Sequence, residues 1–342
     1  MKGWLKDENG VLSLKELPQE KQNDCGDNLF TIKLTKSLIT DNDVLNFKNQ
    51  TDNNFVLGTC GIGIISSDVP EDSIFDLKKG DKVYVRPYKA CGECINCKNG
   101  NYQKCSNILV AGEDYDGFLK EFTDTTEREI RVLPEGFSED DALYICKVSL
   151  ALSIIDRLNV QKGEHVVILG ADNLGIILAM LLKYYQSIPI VIDNDNDRIS
   201  LAKECGIYYS INNEKDWIKE VTEITGGRMA THVVYLQNSC IPLSYAFNLS
   251  AQKATIAFSG ISKNSNIISF YPAVKKELNI VFVRTGYGNT MSSVNLIANK
   301  AIDLKKLSLK TIKFEEVSDT FNTLLNDFEN NKKIDDIVVE MI

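Results

Sequence analysis

The sequence predicts an α/β protein with a β-rich first domain and a second domain built on a doubly wound parallel sheet. Short β-branched runs separated by Gly, Asp and Asn fill about the first 90 residues. From Gly163 onward, apolar runs of strand length alternate with helical stretches. Because 342 residues exceed what one hydrophobic core usually organises, we expect domains over residues 1–150 and 151–285.

The predicted strands of the first domain are short. They cover residues 29–34, 61–65 and 80–86. Each contains β-branched or aromatic side chains and is flanked by Gly, Asp or Asn, which is typical of strands joined by turns. The first domain is therefore expected to consist mainly of β-structure.

The predicted elements of the second domain alternate between strand and helix. A strand over 164–169 leads through a turn at Gly170 into a helix over 174–185. The other predicted elements are strands over 189–193, 232–236 and 254–258 and helices over 197–205, 214–225 and 242–249. Such alternation predicts a parallel sheet, and about six units would fill a doubly wound nucleotide-binding sheet that ends near Arg284.

The last part of the chain is predicted to return to the first domain. It contains a helical stretch over 294–301 and a final strand over 337–340. We therefore expect residues 286–342 to complete the first domain.

The composition argues against two classes of partner. The chain has 47 acidic and 38 basic residues, a formal charge of −9, so neither nucleic acid nor an anionic membrane surface would attract it. Its longest apolar run, near residues 175–182, is too short for a membrane span, which needs about 20 apolar residues. The N-terminal residues turn acidic before any apolar signal-peptide core, so we expect a cytoplasmic protein.

Four of the nine cysteines lie in one short loop. Cys91, Cys94, Cys97 and Cys105 form the pattern C-x2-C-x2-C-x7-C. Thiolates this close can adopt the tetrahedral geometry of zinc, whereas a bacterial ferredoxin pattern would place its fourth cysteine after three residues and then proline. We expect one structural zinc ion per chain, because four protein ligands leave no open position for a substrate. Unmetallated thiols in a surface loop are the alternative.

The turn between the predicted strand and helix at Gly170 approaches the dinucleotide-binding pattern G-x-G-x-x-G. Its candidate contact residues are Gly170, Asp172, Leu174 and Gly175. Asp172 replaces the middle glycine and adds bulk and negative charge where a pyrophosphate would approach, so we expect weak NAD binding. Asp193 ends the next strand, where an acid binds ribose hydroxyls and disfavours the 2′-phosphate of NADP. Arg198 is expected to be solvated. The alternative for Gly170 and Gly175 is that they serve only the packing of the helix on the strand in a relict nucleotide fold.

Further segments extend these motifs along the chain. They are Gly80-Asp-Lys-Val, Asp116-Gly-Phe-Leu-Lys-Glu-Phe, Leu133-Pro134, Lys162-Gly-Glu and Arg198-Ile-Ser-Leu-Ala-Lys. Together with the cysteine loop and the nucleotide turn, they resemble the zinc-containing medium-chain dehydrogenase/reductase family, which includes alcohol, polyol and threonine dehydrogenases. The resemblance implies a GroES-like first domain, a Rossmann second domain, and homodimers or homotetramers. It also implies reversible hydride transfer between NAD(P) and an alcohol or carbonyl.

The resemblance implies a catalytic zinc site, and most of its ligands are missing in this chain. Family members bind the metal through a cysteine, a histidine and a third ligand, with one position left for the alcohol oxygen. Thr40 replaces the cysteine, Thr59 replaces the histidine, and Cys60 replaces the glutamate that follows it, so only Cys146 is kept as the third ligand. Asn42 stands where a Ser or Thr hydroxyl passes the alcohol proton outward, and Asn has no hydroxyl.

Few other side chains offer replacements for the missing ligands. Cys60, Cys146 and Asp43 are a chemically feasible makeshift site, because thiolates and a carboxylate can hold zinc. The alternative for the two cysteines is a small buried hydrophobe, which is how free cysteine most often behaves. His165 and His232 each open a strand and are expected to be solvated rather than metal-bound.

Two functions agree with these motifs. The first is an NAD-linked oxidoreductase with an altered or absent catalytic zinc, acting on a small alcohol or carbonyl in a cleft between the domains. Nicotinamide carries the hydride chemistry, so the protein must supply orientation and stabilise alkoxide charge. The second is a catalytically silent member that binds a ligand or pairs with an active subunit, and the combined replacements at 40, 59 and 172 motivate it. NADH binding discriminates between them.

Overall fold

The computed structural model divides the chain into two compact units. The first contains residues 1–146 and 309–342, and the second contains residues 147–308. The residues that the structure describes are 1–7, 10–18, 29–49, 55–69, 73, 75–212, 216–236, 239, 241–260, 269–307, 309–330 and 334–341.

The first unit is dominated by β-strands, which are numbered here in chain order. Its strands are β1 (Lys2–Lys6), β2 (Leu12–Glu16), β3 (Leu29–Ile39), β4 (Gly61–Ile65), β5 (Lys82–Val85), β6 (Tyr88–Ala90), β7 (Ile108–Val110), β8 (Phe122–Thr126), β9 (Ile130–Val132), β16 (Lys310–Lys313) and β17 (Ile337–Glu340). Its helices are α1 (Asp41–Asn49), α2 (Ile95–Lys98), α3 (Glu139–Leu143) and α11 (Val317–Glu329). The main sheet has the order β16-β17-β3-β4-β5-β9, and β8 pairs with β3. The expectation of a β-rich first domain is confirmed.

Strand β3 lies at the centre of this sheet and is longer than the sequence pattern indicates. The pattern predicts an end at Leu34, but the strand runs to Ile39. Its backbone pairs with β4 on one side and, over successive parts of its length, with β8 and β17 on the other. The backbone hydrogen bonds of neighbouring strands therefore extend β3 through polar residues that carry no strand signal of their own.

The second unit alternates between strand and helix. Its helices are α4 (Ile145–Leu158, beginning in the first unit), α5 (Asn173–Tyr184), α6 (Asn196–Glu204), α7 (Trp217–Ile224), α8 (Ser244–Asn248), α9 (Tyr271–Lys275) and α10 (Thr290–Ala298). Its strands are β10 (His165–Leu169), β11 (Ile188–Asp193), β12 (Tyr209–Asn212), β13 (Ala230–Leu236), β14 (Ser250–Ser259) and β15 (Asn279–Phe282). The predicted helix over 214–225 starts at residues that lie outside the described part of the chain. No helix of the described residues is long and apolar enough to cross a membrane.

The six strands of the second unit form a parallel sheet in the order β12-β11-β10-β13-β14-β15. The strand order reverses between β10 and β13, as in a doubly wound nucleotide-binding fold, which places a crevice at the carboxyl ends of these two strands. The predicted sheet is confirmed. The sequence patterns do not predict β12 or α9, because a four- or five-residue element has too few positions to show a period.

The structure divides the chain later than the expected boundary at residue 285. Residues 286–308 stay with the second unit, and the first unit resumes at residue 309. Helix α10 is held against α4 by a hydrogen bond of 2.9 Å between the buried hydroxyls of Ser293 and Ser149. Asn289, which precedes α10, donates from Nδ2 to Ser153 Oγ of α4 at 3.0 Å. These polar contacts join residues far apart in sequence, so no local pattern reveals them.

Candidate functional site

The four cysteines of the predicted zinc loop lie close together. Strands β6 and β7 form a two-stranded sheet, and the loop between them contains α2 and the cysteines. The sulfur atoms are 3.5 Å apart for Cys94–Cys97, 3.4 Å for Cys91–Cys105 and 4.0 Å for Cys91–Cys97. Four sulfurs bound about 2.3 Å from zinc lie about 3.8 Å from one another at the corners of a tetrahedron. The loop therefore fits a zinc ion.

No second group of this kind is present in the described part of the chain. Among these residues, the four cysteines form the only set of three or more His, Cys, Asp or Glu side chains that can share an ion, with all ligand atoms within 4.8 Å. The site is closed by four protein ligands. Its expected role is therefore to stabilise the loop, since a structural zinc site has no position open for a substrate.

Backbone amides lower the pKa values of Cys91 and Cys94 and so favour their charged forms. The N–H groups of Ser106 and Cys97 lower the pKa of Cys94 to about 6. The amide of Cys91 also donates to Cys105 Sγ at 3.3 Å. In contrast, desolvation and the neighbouring Cys94 sulfur raise the pKa of Cys97 to about 12. A bound cation deprotonates a coordinating thiol outright, so the loop reaches its four-thiolate form with the metal.

Thr40 and Thr59 lie together around a buried aspartate. Thr40 follows β3 and precedes α1, while Thr59 lies just before β4. Their hydroxyl oxygens are 2.8 Å apart, and each is 2.8 Å from Asp43 Oδ2. The same Oδ2 accepts the Thr40 N–H at 2.7 Å, and Oδ1 accepts the Gly58 N–H at 2.7 Å. We call these three side chains the Thr40–Asp43–Thr59 cluster.

This cluster gives a structural role to two positions where the sequence resemblance implies zinc ligands. Thr40 and Asp43 have the spacing of a capping box at the start of α1, and Asp43 accepts the Thr40 backbone N–H as in that motif. Burial raises the pKa of Asp43, although hydrogen bonds from Gly58, Thr40 and Thr59 oppose the shift. Sequence reasoning missed this role of Asp43, and the spacing Thr-x-x-Asp was the signal that could have revealed it.

Cys60 and Cys146 lie side by side without forming the makeshift metal site. Both are buried, and their sulfur atoms lie 3.8 and 3.5 Å from the carbonyl oxygen of Leu143. A hydrogen bond with Cys146, together with burial, raises the pKa of Cys60 well above its ordinary value, and Asp43 and Asp336 add to the shift. These two cysteines and Asp43 are not among the described groups that can share an ion. The first unit therefore does not fit a catalytic zinc bound in the way that the resemblance implies.

The nucleotide turn joins β10 to α5. Gly170 has a φ of 118°, a conformation that favours glycine. A Cβ atom on Gly175 would lie 2.2 Å from the Gly170 carbonyl oxygen. Asp172 is the N-cap of α5 and accepts the Gly175 N–H at 2.8 Å, while Leu174 is buried in the first helical turn. The backbone of the turn fits a dinucleotide, but the Asp172 carboxylate occupies an N–H at the helix terminus where a pyrophosphate binds in this fold.

Asp193 lies at the carboxyl end of β11, beside this turn. Its Oδ2 accepts the Ala171 N–H at 2.6 Å, and its Oδ1 accepts the Asp195 N–H at 2.9 Å. Arg198 Nη1 is 3.8 Å from Asp193 Oδ2, and the two side chains are only 6% and 4% exposed. The expectation of a solvated Arg198 is therefore wrong, because the arginine balances a buried carboxylate. A role for Asp193 in binding ribose stays a prediction.

The two histidines belong to the second unit, where they lie on β10 and β13. His232 is buried, and its Nε2 is 2.9 Å from Glu164 Oε2, so the expectation that it is solvated is wrong. Strands β10 and β13 pair in parallel, and this pairing brings Glu164, which precedes β10, next to His232 on β13. His165 is partly buried, and desolvation lowers its pKa. Neither histidine belongs to a described group that can share a metal ion.

Comparisons with known proteins match both units. Residues 26–135 match the alcohol dehydrogenase GroES-like domain, and residues 174–299 match the zinc-binding dehydrogenase domain. An uncharacterized zinc-type alcohol dehydrogenase-like protein of Haemophilus influenzae is 31% identical over 264 residues, which are 75% of this chain and 76% of the relative. D-xylulose reductase A of Aspergillus oryzae is 26% identical over 78% of this chain and 76% of its own.

Solved structures share the fold of the whole chain. An Escherichia coli short-chain alcohol dehydrogenase, RspB, in complex with NADH has a TM-score of 0.83 at 24% identity and covers 99% of both chains. An alcohol dehydrogenase from a Thermus species has a TM-score of 0.85 at 18% identity and covers 100% of both. Because both domains are matched and a zinc-type relative is 31% identical over 264 aligned residues, the chain belongs to the zinc-containing medium-chain dehydrogenase/reductase family of oxidoreductases.

Proposed function

We propose that this protein is an NAD-linked oxidoreductase for a small alcohol or carbonyl that works without a catalytic zinc ion. The main supporting observation is the six-stranded parallel sheet whose glycine turn, Gly170 to Gly175, lies where the strand order reverses. Ligands of such sheets bind outside the carboxyl ends of the strands at this point. The relatives named as alcohol dehydrogenases and a D-xylulose reductase support the same reaction class.

Each part of the chain has a distinct task in this proposal. The amides at the start of α5 would face the cofactor phosphates, and Asp193 would accept hydrogen bonds from the ribose. Bound NADH would supply the hydride. The cysteine loop would hold a zinc ion that stabilises its own conformation. The hydroxyls of Thr40 and Thr59 are hydrogen-bonded to Asp43, so the proposed reaction does not use a second metal ion.

A paired measurement tests this proposal. Elemental analysis of the purified protein is expected to give one zinc per chain, bound by the cysteine loop. Titration with NADH, followed by quenching of tryptophan and tyrosine fluorescence, is expected to show binding below millimolar concentration. Two tightly bound zinc ions per chain would contradict the absence of a catalytic metal.

A second candidate function is a silent family member that binds a ligand or pairs with an active subunit. The observation that favours it is the Asp172 carboxylate, which accepts the Gly175 N–H at 2.8 Å at the very terminus that a pyrophosphate would approach. No NADH binding at millimolar concentration would support this candidate and contradict the first.

We also propose that the protein forms homo-oligomers. Strand β15 is an edge of the six-stranded sheet, and its residues Asn279, Ile280, Val281 and Phe282 carry no charge. Phe282 on this strand is 64% exposed, and Tyr271 and Val274 on α9, the helix before it in the chain, are 72% and 74% exposed. An uncharged edge strand with an exposed aromatic side chain is a template for pairing with another strand, and in a symmetric dimer β15 of a second copy would pair with it.

A further inference from the structure

The Thr40–Asp43–Thr59 cluster contains more close oxygen pairs than its hydroxyl protons can join. Asp43 Oδ2 and the two hydroxyl oxygens form a triangle with all three sides 2.8 Å long. Each hydrogen bond needs one proton, and the two hydroxyls supply two. If Asp43 is ionised, one side of the triangle joins two oxygens with no proton between them.

Asp43 also lacks the partner that a buried carboxylate usually needs. It is 1% exposed, and within the described part of the chain it accepts hydrogen bonds from Thr40, Thr59 and Gly58 and forms no ion pair. A buried carboxylate without a counter-ion is poorly solvated, which favours its protonated form. Burial accordingly raises the pKa of Asp43.

The ionisable groups described below, which lie around the cluster, do not compensate a negative charge on Asp43. Cys60, beside Thr59 in sequence, is influenced by Asp43, Cys146 and Asp336, and each of these raises its pKa. Tyr84 on β5 is buried next to the same two thiols, which raise its pKa as well. All these groups are neutral or negative when they titrate, so none of them stabilises a negative charge on Asp43.

We propose that Asp43 keeps its proton at neutral pH, closes the triangle by donating from Oδ2 to Thr59, and with Thr59 forms the proton donor for reduction of a small aldehyde or ketone. The ring of hydrogen bonds then runs from Asp43 to Thr59, from Thr59 to Thr40 and from Thr40 back to Asp43. Thr59 is the partly exposed member of the cluster, so the proton leaves through it. The catalytic half of this inference rests on the proposed function.

The proton balance is complete in this scheme. The carbonyl oxygen takes the hydroxyl proton of Thr59, and bound NADH would supply the hydride for the carbonyl carbon. The Asp43 proton moves to Thr59 Oγ1, which leaves a carboxylate. The N–H groups of Gly58 and Thr40 already point at its two oxygens and stabilise this anion until solvent returns a proton. The protonated cluster is the form that reduces a carbonyl, so the rate of reduction falls as the pH rises through the raised pKa of Asp43.

Infrared spectroscopy of the intact protein tests the protonation without cofactor or substrate. At pH 7 we expect the carbonyl band of a protonated carboxylic acid, absent in D43N and shifted in T59V, where the acid loses its hydrogen-bond acceptor. T59S keeps the hydroxyl and is the matched control. The pKa of Glu129 is also raised by burial, so the band is compared in an E129Q background. If no protonated band in the wild type responds to D43N or T59V, the proposal is wrong.

Kinetics test the proton donor separately. With short aldehydes and ketones such as propanal and butanone, T59V is expected to lower the NADH-dependent reduction rate about a hundredfold, in the range of a lost general acid, with an unchanged Kd for NADH. T59S, which keeps the hydroxyl, should recover most of the rate that T59V loses. An equal rate in T59V overturns the role in proton transfer. A protonated band without any NADH-dependent reduction would overturn the proposed function while protonation of Asp43 stands.

Discussion

Asp172 combines a structural role with an electrostatic one. As the N-cap of α5 it accepts the Gly175 N–H at 2.8 Å, and such a cap stabilises a helix by about 1 kcal/mol. The same carboxylate places a negative charge at a helix N-terminus, which otherwise favours anions. The side chain that stabilises the helix therefore opposes a cofactor phosphate.

Replacing Asp172 is expected to strengthen NAD binding. D172G removes the carboxylate and lets the backbone approach the pyrophosphate, and the electrostatic part alone is on the order of 1 kcal/mol, about tenfold in Kd. Isothermal titration calorimetry measures the change. D172N is the matched control, because Asn caps a helix about as well as Asp but carries no charge. Tight NAD binding in the wild type that is lost in D172G would show that Asp172 contacts the cofactor favourably.

Restoring the missing ligands is expected to create a second metal site. In T40C/T59H, a thiolate and an imidazole replace two hydroxyls that lie 2.8 Å apart, and Cys146 is available as a third ligand. Asp43 is placed to accept the N–H of the new histidine, an arrangement that orients metal-bound imidazoles. After addition of zinc, the zinc content measured by elemental analysis should rise from one toward two ions per chain. The single variant T59H is the control, and a count that stays at one in the double variant would contradict this expectation.

At the scale of elements, the cysteine loop is the part of the chain most dependent on a ligand. Its four cysteines are contributed by a loop between two three-residue strands, with a four-residue α-helix and a three-residue 3-10 helix inside it. Such short elements bury little apolar surface, so a metal must hold them together. The loop is a self-contained unit whose stability depends on zinc.

C97S is therefore expected to remove zinc and destabilise the protein without altering chemistry directly. Cys97 is buried within the loop, and loss of a structural metal is among the changes that cost on the order of 3 kcal/mol or more. Thermal unfolding and elemental analysis check the two effects. C205S, which changes a partly exposed cysteine outside the loop, should leave both unchanged. A wild-type melting temperature in C97S would contradict the structural role.

At the scale of the whole molecule, self-association is expected to depend on β15. F282D places a charge on an edge strand, at a side chain that is 64% exposed, and charges on edge strands block pairing with other strands. Size-exclusion chromatography with light scattering should show a smaller species than the wild type, with nearly unchanged melting of the monomer. Y208D, at the start of the opposite edge and 86% exposed, is the control. An unchanged mass in F282D would exclude β15 as the interface.

Local spacing determined the features that were predicted most fully from the sequence. The ligands Cys91, Cys94, Cys97 and Cys105 meet within 4.8 Å because their spacing within one loop already brings them together. The nucleotide turn, Gly170 to Gly175, likewise needs only the end of one strand and the start of one helix. Periodic apolar runs of the second domain similarly identified the parallel sheet, since each run buries itself in the same way wherever it lies in that sheet.

Tertiary structure decided the features that depend on residues distant in sequence. Thr40 and Thr59 are recognisable in the sequence as replaced ligands, but only the packing of α1 against the loop before β4 brings them onto Asp43. His232 was expected to be solvated because its partner Glu164 is 68 residues away in sequence. Arg198 was expected to be solvated because its sequence does not show that it is buried with Asp193. Burial and shared protons arise from contacts that only the tertiary structure brings together. The sequence therefore determined the family and the cysteine loop, whereas the fold determined the roles of the residues at the catalytic positions.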